Sequence, residues 1–349
     1  MTSLSRYTTL GLGGPARRFA AAATEDELTA AVRAADGGGA PVLIIGGGSN
    51  LVVADEGFPG TVIHVATRGL TYGPERGGHV DVTVAAGEEW DTVVAATMAE
   101  GLAGLECLSG IPGRTGATPI QNVGAYGQEV ADTIAAVRVL DRRTGKTRQI
   151  PNERCGFGYR TSSFKRDAGR FVVLDVTFRL ARQALSCPVR YPALAAELRV
   201  GLGEQVTAAE ARSAVLRVRA RKGMVLDPGD PDTRSAGSFF TNPVLDAERF
   251  TAVEAVAKER GLLPVPRFEA GRGLVKVPAA WLIERAGFGP GYPGAGAARI
   301  SSKHTLALVN AGGATAAELV ALARQIRDGV RRAFGVDLEP EPVLVGLRL

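Results

Sequence analysis

The segment Ser109–Gly127 constrains the fold of this chain more than any other. Its sequence, SGIPGRTGATPIQNVGAYG, contains almost no bulky apolar side chain. A loop of this length and composition is not expected to form core, and long loops without secondary structure are usually functional or disordered. Its few apolar residues need packing partners, which disfavours disorder. Because glycine permits close approach of the backbone to another group, we expect the loop to lie against a flat or anionic ligand, with Tyr126 packed into core.

A second glycine motif, Gly46–Asn50 (GGGSN), follows a short apolar run. A strand followed by such a motif suggests the dinucleotide-binding pattern G-x-G-x-x-G/A, whose third small residue begins a helix. Here that third position is Leu51, and the residues after it predict a strand, so the pattern is not met. The glycines suit a tight turn whose bare N–H groups could hold a phosphate. An ordinary glycine-rich turn is the alternative.

The rest of the sequence predicts a mixture of helices and strands. Capping boxes, in which a threonine hydroxyl and a glutamate three residues later satisfy backbone N–H groups, begin helices at Thr24, Thr207 and Thr315. Further helices are expected from Glu88 to near Gly101 and over residues 246–261 and 279–286. Strands are expected over residues 41–45, 51–54, 60–67, 80–86, 136–140, 171–180, 305–310 and 336–345. Residues 155–165 and 235–243 are expected to be irregular loops.

Composition and charge exclude several classes of protein. The 349 residues are 45% apolar and 22% charged, which is typical of a soluble globular chain of two or three domains. No apolar run is long enough to span a membrane, and the N-terminus lacks a signal-peptide layout, so a cytoplasmic location is expected. Basic and aromatic residues are not interleaved, so nucleic-acid binding is not expected. Three scattered cysteines and three histidines predict neither disulfides nor a metal site.

The densest basic cluster ends the helix that begins at Thr207. It consists of Arg217, Arg219, Arg221 and Lys222. A solvated helix end, whose cations are favoured by the helix macrodipole, is the preferred interpretation. Attraction of a phosphate-bearing ligand is the alternative.

The two glycine loops, IIGGGSNLVV and IPGRTGATPIQNVGAYGQE, resemble the flavin-binding half of the vanillyl-alcohol-oxidase-like FAD fold. Within that fold they are most similar to the UDP-N-acetylenolpyruvoylglucosamine reductase family of peptidoglycan synthesis. Three further motifs agree in order, CGFGYRTSSFK at 155–165, SAGSFFTNP at 235–243 and LEPE at 338–341. Together the motifs span nearly the whole chain. The resemblance implies an α+β architecture with two FAD-binding subdomains (1–70 and 71–205) and a C-terminal substrate-binding domain (206–335), with the strand in 336–349 returning to the first.

The resemblance also implies the reaction. NADPH passes a hydride to FAD, and the reduced flavin passes it to the enolpyruvyl double bond of a UDP-sugar, which leaves UDP-N-acetylmuramate. The family's catalytic residues match Arg160, Ser238 and Glu341. Arg160 offers a planar fork to the substrate carboxylate, and Ser238 donates a proton to the carbanion-like carbon. Glu341 must lie near a cation such as Arg160, or be protonated, and strand alternation alone does not separate it from Glu339.

Binding residues follow from the same motifs. The expected flavin contacts are Gly46, Gly47, Gly48, Ser49, Asn50, Leu51, Thr115, Gly116, Thr118, Pro119, Asn122, Gly124 and Ala125. The expected substrate contacts are Tyr191, which matches a closing loop of the family's longer subtype, together with Asn242, Lys303 and His304. Which cation meets the UDP diphosphate stays open among Arg219, Arg221 and Lys222. The alternatives are structural ones, namely an interfacial core tyrosine at 191 and a surface-loop histidine at 304.

Two other functions compete with this one. The first is an FAD oxidase of small alcohols or sugars with the same fold, which is not expected to share the Gly-Ser-Phe-Phe and Glu-Pro-Glu motifs. The second is a non-catalytic protein that binds nucleotide sugars or nucleic acid. A monomer that uses a UDP-sugar and NADPH is expected.

Overall fold

The computed structural model describes all 349 residues as a mixture of strands and helices. The strands are β1 (Thr2–Ser3), β2 (Pro15–Ala22), β3 (Val42–Ile45), β4 (Leu51–Val53), β5 (Phe58–Val65), β6 (Leu70–Tyr72), β7 (His79–Ala85), β8 (Leu102–Ala103), β9 (Gly124–Ala125), β10 (Gln128–Glu129), β11 (Ile134–Asp141), β12 (Lys146–Pro151), β13 (Phe171–Arg182), β14 (Ser235–Ser238), β15 (Val244–Leu245), β16 (Phe268–Glu269), β17 (Val275–Lys276), β18 (Ala298–Ile300), β19 (Ala307–Asn310) and β20 (Val343–Val345). The α-helices are α1 (Glu25–Gly37), α2 (Trp90–Ala99), α3 (Asn152–Cys155), α4 (Ser163–Arg166), α5 (Pro192–Leu198), α6 (Ala208–Arg221), α7 (Ala247–Glu259), α8 (Ala279–Arg285) and α9 (Ala316–Phe334). Single 3-10 turns lie at Leu4–Tyr7, Glu106–Leu108, Thr115–Ala117, Val130–Asp132 and Pro231–Thr233.

The chain folds into two compact units, and neither is continuous in sequence. The first unit comprises Met1–Thr2, Ala16–Gly48 and Pro59–Val225. The second comprises Ser3–Pro15, Ser49–Phe58 and Leu226–Leu349. The three-part division expected from the sequence has other boundaries than these two units and remains a prediction.

The main sheet of the first unit has the order β12-β11-β13-β7-β6. Its central strand β13 is rich in β-branched and aromatic residues, which favour a pleated and buried surface. Val176, Phe178 and Leu180 alternate along it and are completely buried. The ring of Phe178 lies 5.6 Å from that of Trp90, at the start of α2. The indole N–H of Trp90 donates to the carbonyl of Leu108, so this core anchors the segment that leads into the long glycine loop.

A smaller sheet of the first unit presents the first glycine motif. β3 pairs in parallel with β5, with Ile45 opposite His64. The chain leaves the end of β3 at Gly46, and Gly48 adopts a left-handed φ of +58°. β4 begins at Leu51 rather than a helix, which confirms the expected strand-to-strand turn.

The core of the second unit forms around α9. Leu319, Ile326 and Val330 of that helix are completely buried, as expected from their spacing. Thr315 and Glu318 form the expected capping box, and Gly335 ends the helix at φ +68°. The sheet β14-β19-β18 lies in the same unit, and β20 pairs in parallel with β4.

Three expectations about secondary structure were wrong in part. The predicted strand 336–345 is a strand only at Val343–Val345, because Pro340 and Pro342 have no N–H to give to a ladder. The predicted loop 235–243 begins with strand β14 and continues into Phe239 and Phe240, each 1% exposed. The predicted loop 155–165 includes part of two short helices.

The expectation that Ser109–Gly127 lies outside the core was also wrong in part. Thr115, Thr118 and Asn122 are at most 3% exposed. Their polar groups are satisfied by hydrogen bonds within the chain, which makes burial of a polar loop possible. No helix of the chain has the length and apolar character needed to cross a membrane.

Candidate active site

Arg160 lies at the tip of a two-residue hairpin in the first unit. Gly158 and Thr161 exchange backbone hydrogen bonds of 3.0 and 3.1 Å, which leaves Tyr159 and Arg160 in the turn. Arg160 has a φ of +52°, which is uncommon for a residue with a side chain and marks local strain. Its Nη2 donates to the carbonyl of Gly124 at 2.8 Å, and its guanidinium lies 5.7 Å from the ring centre of Tyr159.

Hydrogen bonds from Lys165 and from Asn122 of the long glycine loop hold this hairpin in place. Lys165 Nζ donates to the carbonyl of Arg160 at 3.0 Å and to Gln121 Oε1 at 3.1 Å. The side-chain amide of Asn122 donates to the carbonyl of Gly158 at 3.1 Å. Two motifs that are far apart in sequence therefore form one hydrogen-bonded structure around Arg160.

Several glycines of the two loops are required by packing within the chain. A Cβ on Gly47 would lie 2.9 Å from the Cα of Gly113, and a Cβ on Gly116 would lie 2.5 Å from the Cβ of Ala86. A Cβ on Gly124 would lie 2.8 Å from the Cγ of Glu129 and 3.3 Å from Nη1 of Arg160. Close backbone packing thus explains glycines that the sequence interpretation attributed to a ligand.

The expected flavin contacts divide into residues whose polar groups are engaged and residues whose amides are bare. The amides of Thr115 and Gly116 donate to Glu88 and Ala86 at 2.9 Å each. The hydroxyl of Thr118 and the whole side-chain amide of Asn122 are also engaged. Pro119 is buried, and the strand Gly124–Ala125 pairs with Gln128–Glu129.

By contrast, the amides of Gly47 and Gly48 have no acceptor among the backbone hydrogen bonds of the loop. Bare amides in a tight glycine turn form a cradle for an anion such as a pyrophosphate. The turn therefore fits a bound dinucleotide cofactor, with Gly46–Gly48 as the residues that would hold it. Ser49, Asn50 and Leu51 belong to the second unit.

In the second unit, Ser238 and Glu341 lie on two paired backbone segments. The amide of Glu341 donates to the carbonyl of Phe239 at 2.8 Å, and the amide of Thr241 donates to that of Glu339 at 3.0 Å. Gly237 has a φ of +75° and lies in a bulge of β14. Glu341 is half-buried and Glu339 is exposed, so the structure distinguishes two glutamates that the sequence pattern did not.

Asn50 joins the terminal segment to the turn before β4. Its Nδ2 donates to the carbonyl of Glu341 at 3.3 Å. Its own carbonyl accepts from the amide of Val343 at 2.9 Å. Both hydrogen bonds lie within the second unit. No local sequence pattern predicts this role of Asn50.

Three expected substrate contacts of the second unit have partners within the chain. The carboxamide oxygen of Asn242 accepts from the amide of Ala279 at 2.9 Å, at the start of α8. Lys303 Nζ forms a 2.5 Å ion pair with Asp230, and this hydrogen bond raises the pKa of the lysine and lowers that of the carboxyl. His304 is half-buried, and its carbonyl accepts from Ala307.

A cluster at Tyr191 in the first unit consists of Tyr191, Tyr126, which packs against it, and the cations at the end of α6 that lie beside Tyr126. Tyr191 is 39% exposed, so it is not a core tyrosine. The ring of Tyr126 meets it edge-on at 5.4 Å. Arg219 is only 7% exposed and donates from Nη2 to the carbonyl of Met224 at 2.7 Å. Burial lowers the pKa of Arg219, and burial together with Arg219 and Arg221 lowers the pKa of half-buried Lys222.

The structure corrects the interpretation of this basic helix end. Arg217 and Arg221 are exposed and form ion pairs with Glu197, as expected of a solvated helix end. Arg219 is buried instead and forms no ion pair. The Asp91 carboxylate, which both Nη atoms of Arg212 hold, acts on it only through its charge. A buried guanidinium that forms no ion pair is costly, so Arg219 differs from the solvated cations Arg217 and Arg221.

Two families match the two parts of the chain. Residues 16–150 match the family described as FAD binding domain. Residues 230–345 match the family described as UDP-N-acetylenolpyruvoylglucosamine reductase, C-terminal domain. The chain is 57% identical to the UDP-N-acetylenolpyruvoylglucosamine reductase of Thermobifida fusca, over 99% of this chain and 97% of that protein.

The chain belongs to the UDP-N-acetylenolpyruvoylglucosamine reductase family.

Further comparisons agree with this membership. The reductase of Salinispora arenicola is 56% identical over 99% of this chain and 95% of its own length. The crystal structure of the UDP-N-acetylenolpyruvylglucosamine reductase of Thermus caldophilus superposes with a TM-score of 0.64 at 29% identity, covering 99% of this chain and 97% of that chain. The expected α+β flavoprotein fold is confirmed. The expected class of enzyme, an FAD- and NADPH-dependent reductase of peptidoglycan synthesis, is confirmed with it.

Proposed function

We propose that the chain reduces UDP-N-acetylglucosamine enolpyruvate to UDP-N-acetylmuramate with Arg160, Ser238 and Glu341 as its catalytic residues. When bound, FAD would supply the redox chemistry, which is hydride transfer between NADPH and the enolpyruvyl double bond. The chain's own residues bind, orient and protonate. Gly46–Gly48 would hold the cofactor through the bare amides of the glycine turn.

Arg160 supplies the positive charge that the reaction needs. Hydride addition to the methylene carbon places negative charge on the neighbouring carbon and its carboxylate. A guanidinium binds such a carboxylate through two parallel hydrogen bonds. The hydrogen bond from Lys165 holds the Arg160 carbonyl, and the hydrogen bond to Gly124 holds the guanidinium itself before substrate arrives. Preorganised charge of this kind is the most effective in catalysis.

Ser238 and Glu341 handle the proton. The hydroxyl of Ser238 donates to the carbon beside the carboxylate, where the basicity of a carbanion-like centre compensates for the weak acidity of a hydroxyl. Glu341 assists at the substrate carboxyl group. The single observation that most supports these roles is the pairing of Phe239 with Glu341, which brings the two expected proton-handling residues onto adjacent backbone segments.

The cluster at Tyr191 is suited to the UDP diphosphate. Arg219 is buried and forms no ion pair, Lys222 is half-buried, and Arg221 is already paired with Glu197. We therefore assign Arg219 and Lys222, rather than Arg221, to the anionic part of the substrate. Tyr191 is exposed enough to contact the same ligand. Asn242, Lys303 and His304 remain proposed substrate contacts.

The enzyme is proposed to act as a monomer. Its proposed location is the cytoplasm, where a UDP-sugar and NADPH are both available. Sedimentation of the FAD-loaded protein tests the first statement, since a monomer sediments at the 36.3 kDa of one chain.

The reaction is tested by separating its two halves under anaerobic conditions. NADPH is expected to bleach the flavin absorbance of the purified protein, and the enolpyruvyl UDP-sugar is expected to restore it. Simple alcohols and sugars are expected to have no effect. Ser238→Ala is expected to slow only the second half, whereas Ser213→Ala, at an exposed position of α6, leaves both halves unchanged. A colourless protein, or equal rates for Ser238→Ala and Ser213→Ala, contradicts the proposal.

A further inference from the structure

The backbone on both sides of Glu341 is unusually restricted. Glu341 lies between Pro340 and Pro342, so it carries the one amide N–H of these three residues. Each proline ring fixes its own φ, and the residue before a proline is confined to extended conformations. The backbone dihedral angles around Glu341 are therefore restricted, and the segment can move only as a rigid unit.

Two hydrogen bonds remove that remaining freedom. The amide of Glu341 donates to the carbonyl of Phe239 at 2.8 Å. On its other side, the carbonyl of Glu341 accepts from Nδ2 of Asn50 at 3.3 Å. Asn50 is itself fixed, since its carbonyl accepts from Val343 where β20 begins to pair with β4. The side chain of Asn50 thus acts on Glu341 through the backbone.

We infer that Asn50 is a positioning residue for the Glu341 carboxylate. This inference rests on the proposed role of Glu341, and it assigns the Asn50 side chain to the terminal segment rather than to the cofactor. Since an error of about 1 Å in the position of a catalytic group can cost about a hundredfold in rate, one hydrogen bond at this place has a measurable effect.

Rapid-reaction measurements on the FAD-loaded holoenzyme test the inference. Asn50→Ala is expected to keep bound FAD and the rate of bleaching by NADPH within about twofold, and to slow re-oxidation by the enolpyruvyl UDP-sugar about tenfold, the effect of losing roughly one hydrogen bond. Asn50→Asp, which has the same shape but no donor, is expected to behave likewise. Loss of FAD from Asn50→Ala would assign the side chain to the cofactor and overturn the inference.

A double-mutant cycle distinguishes positioning from general damage. In a Glu341→Gln background, Asn50→Ala is expected to slow re-oxidation less than about twofold further, because the group it positions is already gone. Asn310→Ala is the matched control, since Asn310 also donates from a side-chain amide to a backbone carbonyl, that of Leu10. Its effect is expected to be the same in both backgrounds. Equal effects of Asn50→Ala in both backgrounds overturn the inference.

A structural measurement keeps the inference separate from the proposed function. If the wild-type protein is not re-oxidised by the enolpyruvyl UDP-sugar, the proposed function fails on its own. A crystal structure of Asn50→Ala then decides the positioning role. Displacement of residues 339–343 supports it, and an unchanged segment overturns it.

Discussion

At the scale of single residues, strain and chemistry coincide at Arg160. A left-handed φ of +52° is unfavourable for arginine, and the chain stabilises it with hydrogen bonds from Lys165 and Asn122. Asn122 itself has a φ of +48°. Strained residues persist where the surroundings determine them fully, and here those hydrogen bonds hold the backbone of the hairpin that carries the guanidinium.

Replacing Gly124 tests that arrangement. Gly124→Ala places a Cβ 2.8 Å from Glu129 and 3.3 Å from the Arg160 guanidinium. We expect re-oxidation by substrate to slow about tenfold or more, because the guanidinium must move. Gly37→Ala in α1 is the control, since nothing lies within 4 Å of the added carbon. Stopped-flow rates equal to those of the control would show that Arg160 tolerates the displacement.

The three cysteines are expected to be unreactive in the folded protein. Burial raises the pKa of Cys107 and Cys155 to about 12 and that of Cys187 to about 11. A raised thiol pKa means less of the reactive thiolate at any given pH. Alkylation at pH 8 (roughly the ordinary thiol pKa) is therefore expected to be slow for all three, and to speed up toward pH 11 for Cys187 first. Rapid modification of the native protein, read by mass spectrometry, would contradict this.

At the scale of elements, replacing Gly329 of α9 by alanine should destabilise the protein, although Gly→Ala in a helix usually stabilises. Gly→Ala within a helix normally stabilises by about 1 kcal/mol. A Cβ on Gly329 would instead lie 2.2 Å from the ring of Phe288. Overpacking of this kind costs about 1–3 kcal/mol. Urea unfolding is expected to show Gly329→Ala as destabilised and Gly37→Ala as neutral or stabilised, and a stabilised Gly329→Ala would show that the ring yields easily.

The end of α6 gives a matched pair of arginines for a binding test. Arg219→Leu is expected to weaken binding of UDP about tenfold or more, because it removes a buried cation that forms no ion pair within the chain. Arg217→Leu removes an exposed cation already paired with Glu197, and is expected to change binding less than about twofold. Isothermal calorimetry with UDP measures both. Equal affinities would place the diphosphate elsewhere.

Sequence patterns predicted those elements that carry a local signal. The capping boxes at Thr24, Thr207 and Thr315 each begin a helix, because capping is a contact between near neighbours. β12 was missed, since its side chains are mostly exposed and its register comes from β11. β2 and α5 were missed as well. The length of the terminal strand was overestimated, because the prediction followed its apolar residues and not its two prolines.

In the candidate site, too, the residues in short motifs were predicted, whereas the contacts between distant segments were not. Motif resemblance selected Arg160, Ser238 and Glu341, which lie in short and distinctive sequences. It could not show that Asn122 is engaged inside the chain, that Arg219 is buried, or that Asn50 bonds to a residue 291 positions away. Each of these facts depends on a pairing between distant segments.

At the scale of the whole molecule, the interleaving of the two units sets an order of events during synthesis. The first unit has all of its residues once Val225 has been made, whereas the second still lacks most of its chain at that point. β4 has no parallel partner until translation reaches Val343–Val345. Domains generally fold as units during synthesis, so a ribosome paused between these positions would carry a finished first unit beside two short segments that await their partners.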